Sequence, residues 1–193
     1  MVDLLNEYQT YNEAEGRYQG IRDAAFRVAW EIWSEELKGT EIDLRLKPID
    51  GDALRFRSYV WTLFNSPGID GNFPWNEIYD QIRTTPRRFD LAIWDGPILC
   101  GLVAGMASRG TEGQDTNVTI RFLERLGDDI NSLKGQVAAI ALDAAYAYGQ
   151  ALGKRMIYLK EPAPGAIPRY ERLGFSLASR RCKATYYGCE IER

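Results

Sequence analysis

The chain has no histidine among its 193 residues. That absence removes Ser-His-Asp and Cys-His catalytic arrangements and any histidine-ligated metal. Acid–base work is left to Glu, Asp, Tyr, Lys, Cys or water. Cysteine is scarce as well. Cys100, Cys182 and Cys189 are too few and too scattered for a disulfide framework or a zinc site, so no metal is expected and a reducing, cytoplasmic compartment is. No apolar run approaches bilayer-spanning length. The first ten residues carry acids rather than a basic segment followed by an apolar run, so neither a signal peptide nor membrane attachment is expected. No charge sign dominates. The 24 Lys and Arg face 27 Asp and Glu, a net charge of −3, which argues against a generally basic nucleic-acid binder. Aromatics at 12 % with so small a net charge separate the chain from disordered sequences, and its length suits one core.

Residues 1–16 are polar with little pattern and read as loosely packed. From Arg17 to Leu37, Ile21, Ala25, Val28, Ile32 and Trp33 recur at helical spacing, and Gly39 stops the run. Ile42–Ile49 alternates as a half-buried strand. Asp50 or Asp52 caps a helix to about Phe64 with Leu54, Tyr59, Trp61 and Leu63 inward. A Gly/Pro loop, 65–74, leads to a short helix from Trp75 to Arg83.

Three strands follow, at about 88–94, 98–108 and 116–126, with Asp95-Gly96 as a tight turn and Gly101 and Gly105 as points of bulge or close approach. Ser132–Leu152 is the clearest helix, striped by Leu133, Val137, Ile140, Ala144 and Tyr148 and closed by Gly153. Met156–Leu159 suits a buried parallel strand. A brief helix carrying Arg169 to Leu173 ends at Gly174, and the last two strands cover 175–179 and 184–192.

This order, and two local stretches, resemble the GNAT (N-acetyltransferase-like) superfamily. "YAYGQALGKRMIYL" is similar to the end of the family's central helix, its Gly and its fifth strand. "AIPRYERLGF" matches the family's Ala-x-x-x-Tyr-x-x-x-Gly-Phe signature at Ala166, Tyr170, Gly174 and Phe175. The element order covers about 42–192 and the motif match about 147–175. The resemblance implies an α/β (α+β) fold: a mixed central sheet of about seven strands flanked by helices. Residues 1–40 then form an N-terminal extension and extra helix packed on a GNAT-like domain of residues 41–193. Trp30 and Trp33 suggest that this helix packs on the body or on a second copy, as in a homodimer.

The resemblance also implies acetyl-CoA or another acyl-CoA as donor and an amine, on a small molecule or a protein, as acceptor. Carried over, Tyr170 is the general acid for the leaving thiolate. Glu124 of the fourth strand is the candidate base; by alternation it shares a face with Val118, Ile120 and Phe122. A bulge would swap its face, and a plain solvated Glu, with water as base, stays open. Leu123, Leu126, Lys134, Gly135, Gln136 and Val137 form the donor-binding set.

Family members bind pyrophosphate with Gln/Arg-x-x-Gly-x-Gly/Ala, where backbone N–H groups at a helix start meet the anion. Here the stretch is Ser132-Leu133-Lys134-Gly135-Gln136-Val137: Gly135 fits, Ser132 replaces Gln or Arg, and Val137 replaces a small residue. Asp128 and Asp129 upstream complement the helix dipole but repel phosphate, and Lys134 offsets them. The Asn that usually stands seven residues before the Tyr is Ala163 here.

On the acceptor side, Phe73, Trp75 and Tyr79 either line a pocket or bury one another. Cys100, among apolar neighbours, reads as an inert core thiol. Arg83, Arg87, Arg88, Arg180, Arg181 and Lys183 face solvent by default, or an acidic partner. The sequence thus supports an acyltransferase first. A GNAT-fold binding or regulatory module without transfer is the alternative, and a nucleic-acid-modifying relative a weaker third.

Overall fold

The computed structural model describes residues 2–64, 72–110, 116–127, 130–181 and 184–191. A seven-stranded sheet runs through the molecule in the order β1-β2-β3-β4-β5-β7-β6. The strands are β1 (Leu44–Lys47), β2 (Arg88–Asp95), β3 (Ile98–Ala107), β4 (Asn117–Arg125), β5 (Met156–Lys160), β6 (Ser176–Arg181) and β7 (Ala184–Glu190). All neighbours are antiparallel except β4 and β5.

Helix α1 spans Val2–Glu36, so residues 2–16, expected to be loose, are helical. They have no apolar stripe to signal this. Along α1, polar pairs one turn apart, Gln9 to Glu13 at 3.3 Å and Gln19 to Asp23 at 2.7 Å, support the helix from its exposed side. Gly39, at φ 85°, lies just beyond its end.

Helix α2 (Gly51–Phe56) is capped by Asp50, whose carboxylate accepts the Ala53 N–H at 2.8 Å. It continues as a π-helical turn, Arg57–Trp61, and a final turn, α3 (Thr62–Phe64). The wider turn shifts the phase of the helix. Trp61 is buried as expected, but Tyr59 and Leu63 point outward, 74 % and 76 % exposed.

Helix α4 covers Trp75–Ile82 and α5 Val137–Ala151. A 3₁₀ turn at Pro164–Ala166 precedes α6 (Ile167–Arg172). Two apolar clusters sandwich the sheet. On one face α1, α5 and α6 bring Phe26, Ala29, Ile140, Tyr148 and Tyr170 onto Phe89, Leu91, Val103, Val118 and Ile120. On the other, α2, the π turn and α4 bring Ala53, Trp61, Trp75 and Ile78 onto Ala92, Trp94, Leu102 and Leu126. Helix α1 therefore shares the core of the body. Both its tryptophans also bond to that body, Trp30 to the Leu44 carbonyl at 3.0 Å and Trp33 to Asp143 at 2.8 Å.

Strand β1 pairs only with Ala92–Asp95, leaving the first half of β2 as a sheet edge. Arg22 of α1, fully buried, closes it by donating to the carbonyls of Pro86 (2.7 Å) and Arg88 (3.3 Å). Glu15 pairs with both Arg22 (2.6 Å) and Arg88 (2.8 Å), and Asp90 lies 3.3 Å from Arg88 and 3.6 Å from Arg22. Arg88, expected at the surface, is thus an inner member of an ion cluster. Among the described residues, neither Asp90 oxygen has a hydrogen-bond partner. Burial pushes its carboxyl up to about 6, with Arg88 and Arg22 pulling the other way.

Between the ordinary carboxylate value and about 6, the folded chain binds a proton at Asp90 that the unfolded chain does not. Acidification from about pH 7 to pH 5 therefore adds stability through this residue. Glu15, held below its ordinary value by Arg88 and Arg22 against the opposing effect of burial, gives stability back only at lower pH. Thermal unfolding should show the increment in the native chain and lose it in Asp90→Asn. An unchanged pH course in the variant would place the effect elsewhere.

Candidate functional site

Strands β4 and β5 pair only from Asn117↔Met156 to Ile120↔Leu159. Beyond that point β4 runs on without β5, and a gap opens at the carboxyl ends of two parallel strands, where α/β sheets commonly take ligands. A register shift against β3 causes the change. Ala104 pairs with Phe122 but Gly105 with Ile120, so Arg121 is an extra residue in β4. Gly105 permits it: a Cβ there would lie 2.5 Å from the Thr119 carbonyl oxygen.

The bulge also swaps faces. Val118 and Ile120 pack under α5, whereas Phe122 packs in the α4 layer. Glu124 follows Phe122, bonding to Trp75, so it does not share a face with Val118 and Ile120 as alternation suggested. Leu126 N–H donates to the Cys100 carbonyl at 3.0 Å. By alternation from there, the Leu123 N–H and C=O turn toward the gap. Leu126 itself is committed, because its carbonyl accepts Asn131 Nδ2 at 3.0 Å as well. Its side chain is fully buried, so it offers the gap neither backbone nor side chain.

The helix after β4 starts at Val137, not Ser132. Residues 132–136 form turns, with Gly135 at φ 81°, a conformation that favours glycine. Asn131, buried and unremarked in the sequence, staples this stretch to the end of β4, its Oδ1 accepting the Leu133 N–H at 3.1 Å. Ser132 Oγ donates to Asp95 at 2.6 Å, which takes it out of any ligand role. Gln136, the residue before α5, makes no capping bond. Among the described residues, the N–H groups of Gly135, Ala138 and Ala139 have no acceptor. Val137 does not obstruct them, since its side chain is buried over Gly101. Lys134 is exposed and has a partner of its own. Asp128 and Asp129 lie outside the described residues.

Helix α6 follows β5 and reaches the same place. A Cβ on Gly135 would sit 3.8 Å from Arg169 Nη1, so this guanidinium overhangs the turn before α5. Tyr170 is 7 % exposed and packs edge-on to Phe175, ring centres 6.2 Å apart. Burial raises its phenol, against a smaller opposing effect of Arg169, so it stays protonated near neutrality. Its hydroxyl has no hydrogen-bond partner among the described residues.

Across the sheet, Glu124 is 3 % exposed. Oε1 accepts from Asn72 N–H (3.0 Å) and Arg57 Nη2 (3.4 Å), and Oε2 from Phe73 N–H (3.1 Å) and Trp75 Nε1 (2.5 Å). Trp75 is 2 % exposed, so it is core rather than pocket lining. Phe73 packs on Trp75 and Phe122, and Tyr79 is half-buried beside them. The aromatics pack on one another, with Trp75 buried behind Phe73 and Tyr79, which keep part of their surface.

Cys100 is fully buried, and burial raises its thiol. Arg83 pairs with Asp80 at 2.9 Å, and Arg87 donates to the Ala107 carbonyl. Cys182 and Lys183, and the side chains of Arg180 and Arg181, lie outside what is described. Among the described residues, no His/Cys/Asp/Glu group could hold a metal and no helix is long and apolar enough to cross a membrane.

No protein-family model and no curated protein matches the chain. Solved structures do. A ribosomal-protein alanine N-acetyltransferase from Escherichia coli superposes with a TM-score of 0.56 at 16 % identity, covering 78 % of this chain and 95 % of its own. A chimera of the spermidine N-acetyltransferase from Vibrio cholerae with a segment of a second enzyme gives 0.56 at 17 %, with 77 % and 95 % covered. An acetyltransferase from Thermus thermophilus gives 0.55 at 19 %, with 77 % and 97 % covered. The chain therefore has the fold of the GNAT N-acetyltransferases, in a form divergent in sequence.

A Cβ at Gly101 would come within 2.4 Å of Val137 Cγ1. Gly101→Ala should thus cost about 1–3 kcal/mol of stability, and adding Val137→Ala should restore part of it in thermal unfolding. Full additivity of the two losses would contradict the packing.

Proposed function

We propose that the chain is an acyltransferase that moves an acetyl or similar group from acyl-coenzyme A to an amine. The observation that carries this is the uncapped start of α5 beside the gap between β4 and β5. The N–H groups of Gly135, Ala138 and Ala139, without an acceptor among the described residues and with Arg169 above them, suit a pyrophosphate. The donor is then held by the N–H groups of Gly135, Ala138 and Ala139, by the charge of Lys134 and by the backbone that Leu123 turns to the gap; the Gln136 and Val137 N–H groups, expected to join them, already donate to the Leu133 carbonyl at 2.9 and 3.3 Å. Bound there, an acyl-coenzyme A supplies an activated thioester.

In this reading the amine nitrogen bonds to the acyl carbon as the carbon–sulfur bond breaks. Tyr170 gives its phenolic proton to the departing sulfur and regains one from solvent. Its burial, and a hydroxyl without a partner among the described residues, support that role. Most of the acceleration comes from holding the reactants together and from N–H groups facing the thioester oxygen. Amine acceptors of the kinds named for the structural neighbours, spermidine or an alanine of a ribosomal protein, set the scope of the acceptor search.

Acetyl-coenzyme A at about 100 times its dissociation constant should stabilise the fold by roughly 2.7 kcal/mol, raising the unfolding midpoint by roughly 5–11 °C. No rise at millimolar ligand would favour a binding module that has lost the donor. Tyr170→Phe should lower turnover by about 10²-fold or more while leaving the donor-induced rise intact. Equal losses of binding and turnover would remove the acid role.

A further inference from the structure

The carboxylate of Glu124 has about four acceptor positions, and four donors occupy them. Two are backbone N–H groups, from Asn72 and Phe73; one is the Trp75 indole; one is Arg57. A base must offer a free lone pair to the proton that it removes, and this one would first have to release a donor into a site almost closed to water. The donors come from one segment and one turn. Asn72, Phe73 and Trp75 lie within four residues where the chain enters α4, and Arg57 opens the π-helical turn after α2. Arg57 Nη2 also donates to Asn72 Oδ1 at 2.9 Å, and Asn72 holds a left-handed φ of 57° that few side chains adopt. The shared carboxylate ties this left-handed residue to a π turn, a rare feature that is frequent at functional sites.

What it fixes is the far wall of the gap. Tyr170 stands on the α5 side of the sheet. After the bulge, Phe122 stands on the other, covered by Phe73, and Glu124 bonds to Trp75 on the same side. An amine approaching from the side opposite Tyr170 meets this wall.

We infer that Glu124 is the positioning residue of the acceptor side: it locks Asn72, Phe73 and Trp75 into a fixed wall beside the parted strands and takes no proton from the amine. The inference rests on the acyl-transfer reading for the word acceptor, but the lock itself does not. The surplus amine proton then leaves to water.

Hydrogen exchange followed by mass spectrometry tests the lock on the full chain. Glu124→Gln turns an amide NH₂ toward at least one donor, so exchange across 72–75 should accelerate about tenfold or more, with β3 unchanged and the acetyl-coenzyme A midpoint rise retained. With acetyl-coenzyme A and spermidine as probes, Glu124→Gln should raise KM for spermidine and keep the acidic limb of the pH profile of kcat/KM. Unchanged exchange at 72–75 overturns the inference. So does loss of the acidic limb with KM preserved, which would make Glu124 the base. If Glu124→Gln does not fold, Arg57→Met, which removes one donor of four, should loosen the same residues by a smaller factor, and no loosening overturns the inference equally. A native chain that binds no acetyl-coenzyme A defeats the acyl-transfer reading alone, since the exchange result still decides the lock.

Discussion

Everything at the candidate site follows from the place where β4 stops pairing with β5. Past Ile120 and Leu159 the two strands separate, and an antiparallel partner on one side cannot satisfy the backbone that β4 turns to the other. Leu123 is thereby left facing a gap rather than a neighbour. The elements after each strand, α5 and α6, begin at the same end and cover the gap with a helix start and a tyrosine. One extra residue, Arg121, lets Phe122 and Glu124 address the opposite layer, so the two walls of the gap belong to different cores.

Much of the architecture was legible in the sequence because it rests on local signals: the stripe of α5, the Asp95-Gly96 turn, the glycines that end α5 and α6, and the short apolar β5. The signature from Ala166 to Phe175 located the tyrosine helix correctly. What sequence could not show was phase. Strict alternation put Glu124 beside Ile120; Gly105 marked a place where a bulge could fall, but residue types alone did not show that one falls there and reverses the face. The π-helical turn did the same to Tyr59 and Leu63. The helix start was misplaced because Leu133 fits the stripe, while Gly135 adopts a conformation that interrupts it.

The charged residues misled for a different reason. Arg22, Arg88 and Asp90 sit in segments whose composition reads as surface or plain strand, yet they meet at a sheet edge that β1 is too short to cover. Burial of such groups is governed by which tertiary donors and acceptors are left over, and no local pattern encodes that. Asn131, Arg57 and Arg169 were missed likewise, since each acts on a partner far along the chain or in a neighbouring turn. The unusual loop, by contrast, looked degraded because Val137 replaced a small residue. In the folded chain that side chain turns inward over Gly101, and the surface of the loop is unaffected by it.

The attachment of α1 bears on how the chain comes to be folded at all. Its Trp33 bonds to Asp143, 110 residues further on, and its apolar face joins the same cluster as α5. During synthesis the first helix emerges long before the surface it belongs to has been made. It must therefore wait, with Phe26 and its neighbours uncovered, until the ribosome has released most of the sheet. Contacts so distant in sequence are slow to form, and the interval leaves both the helix and the edge of β2 open to other partners.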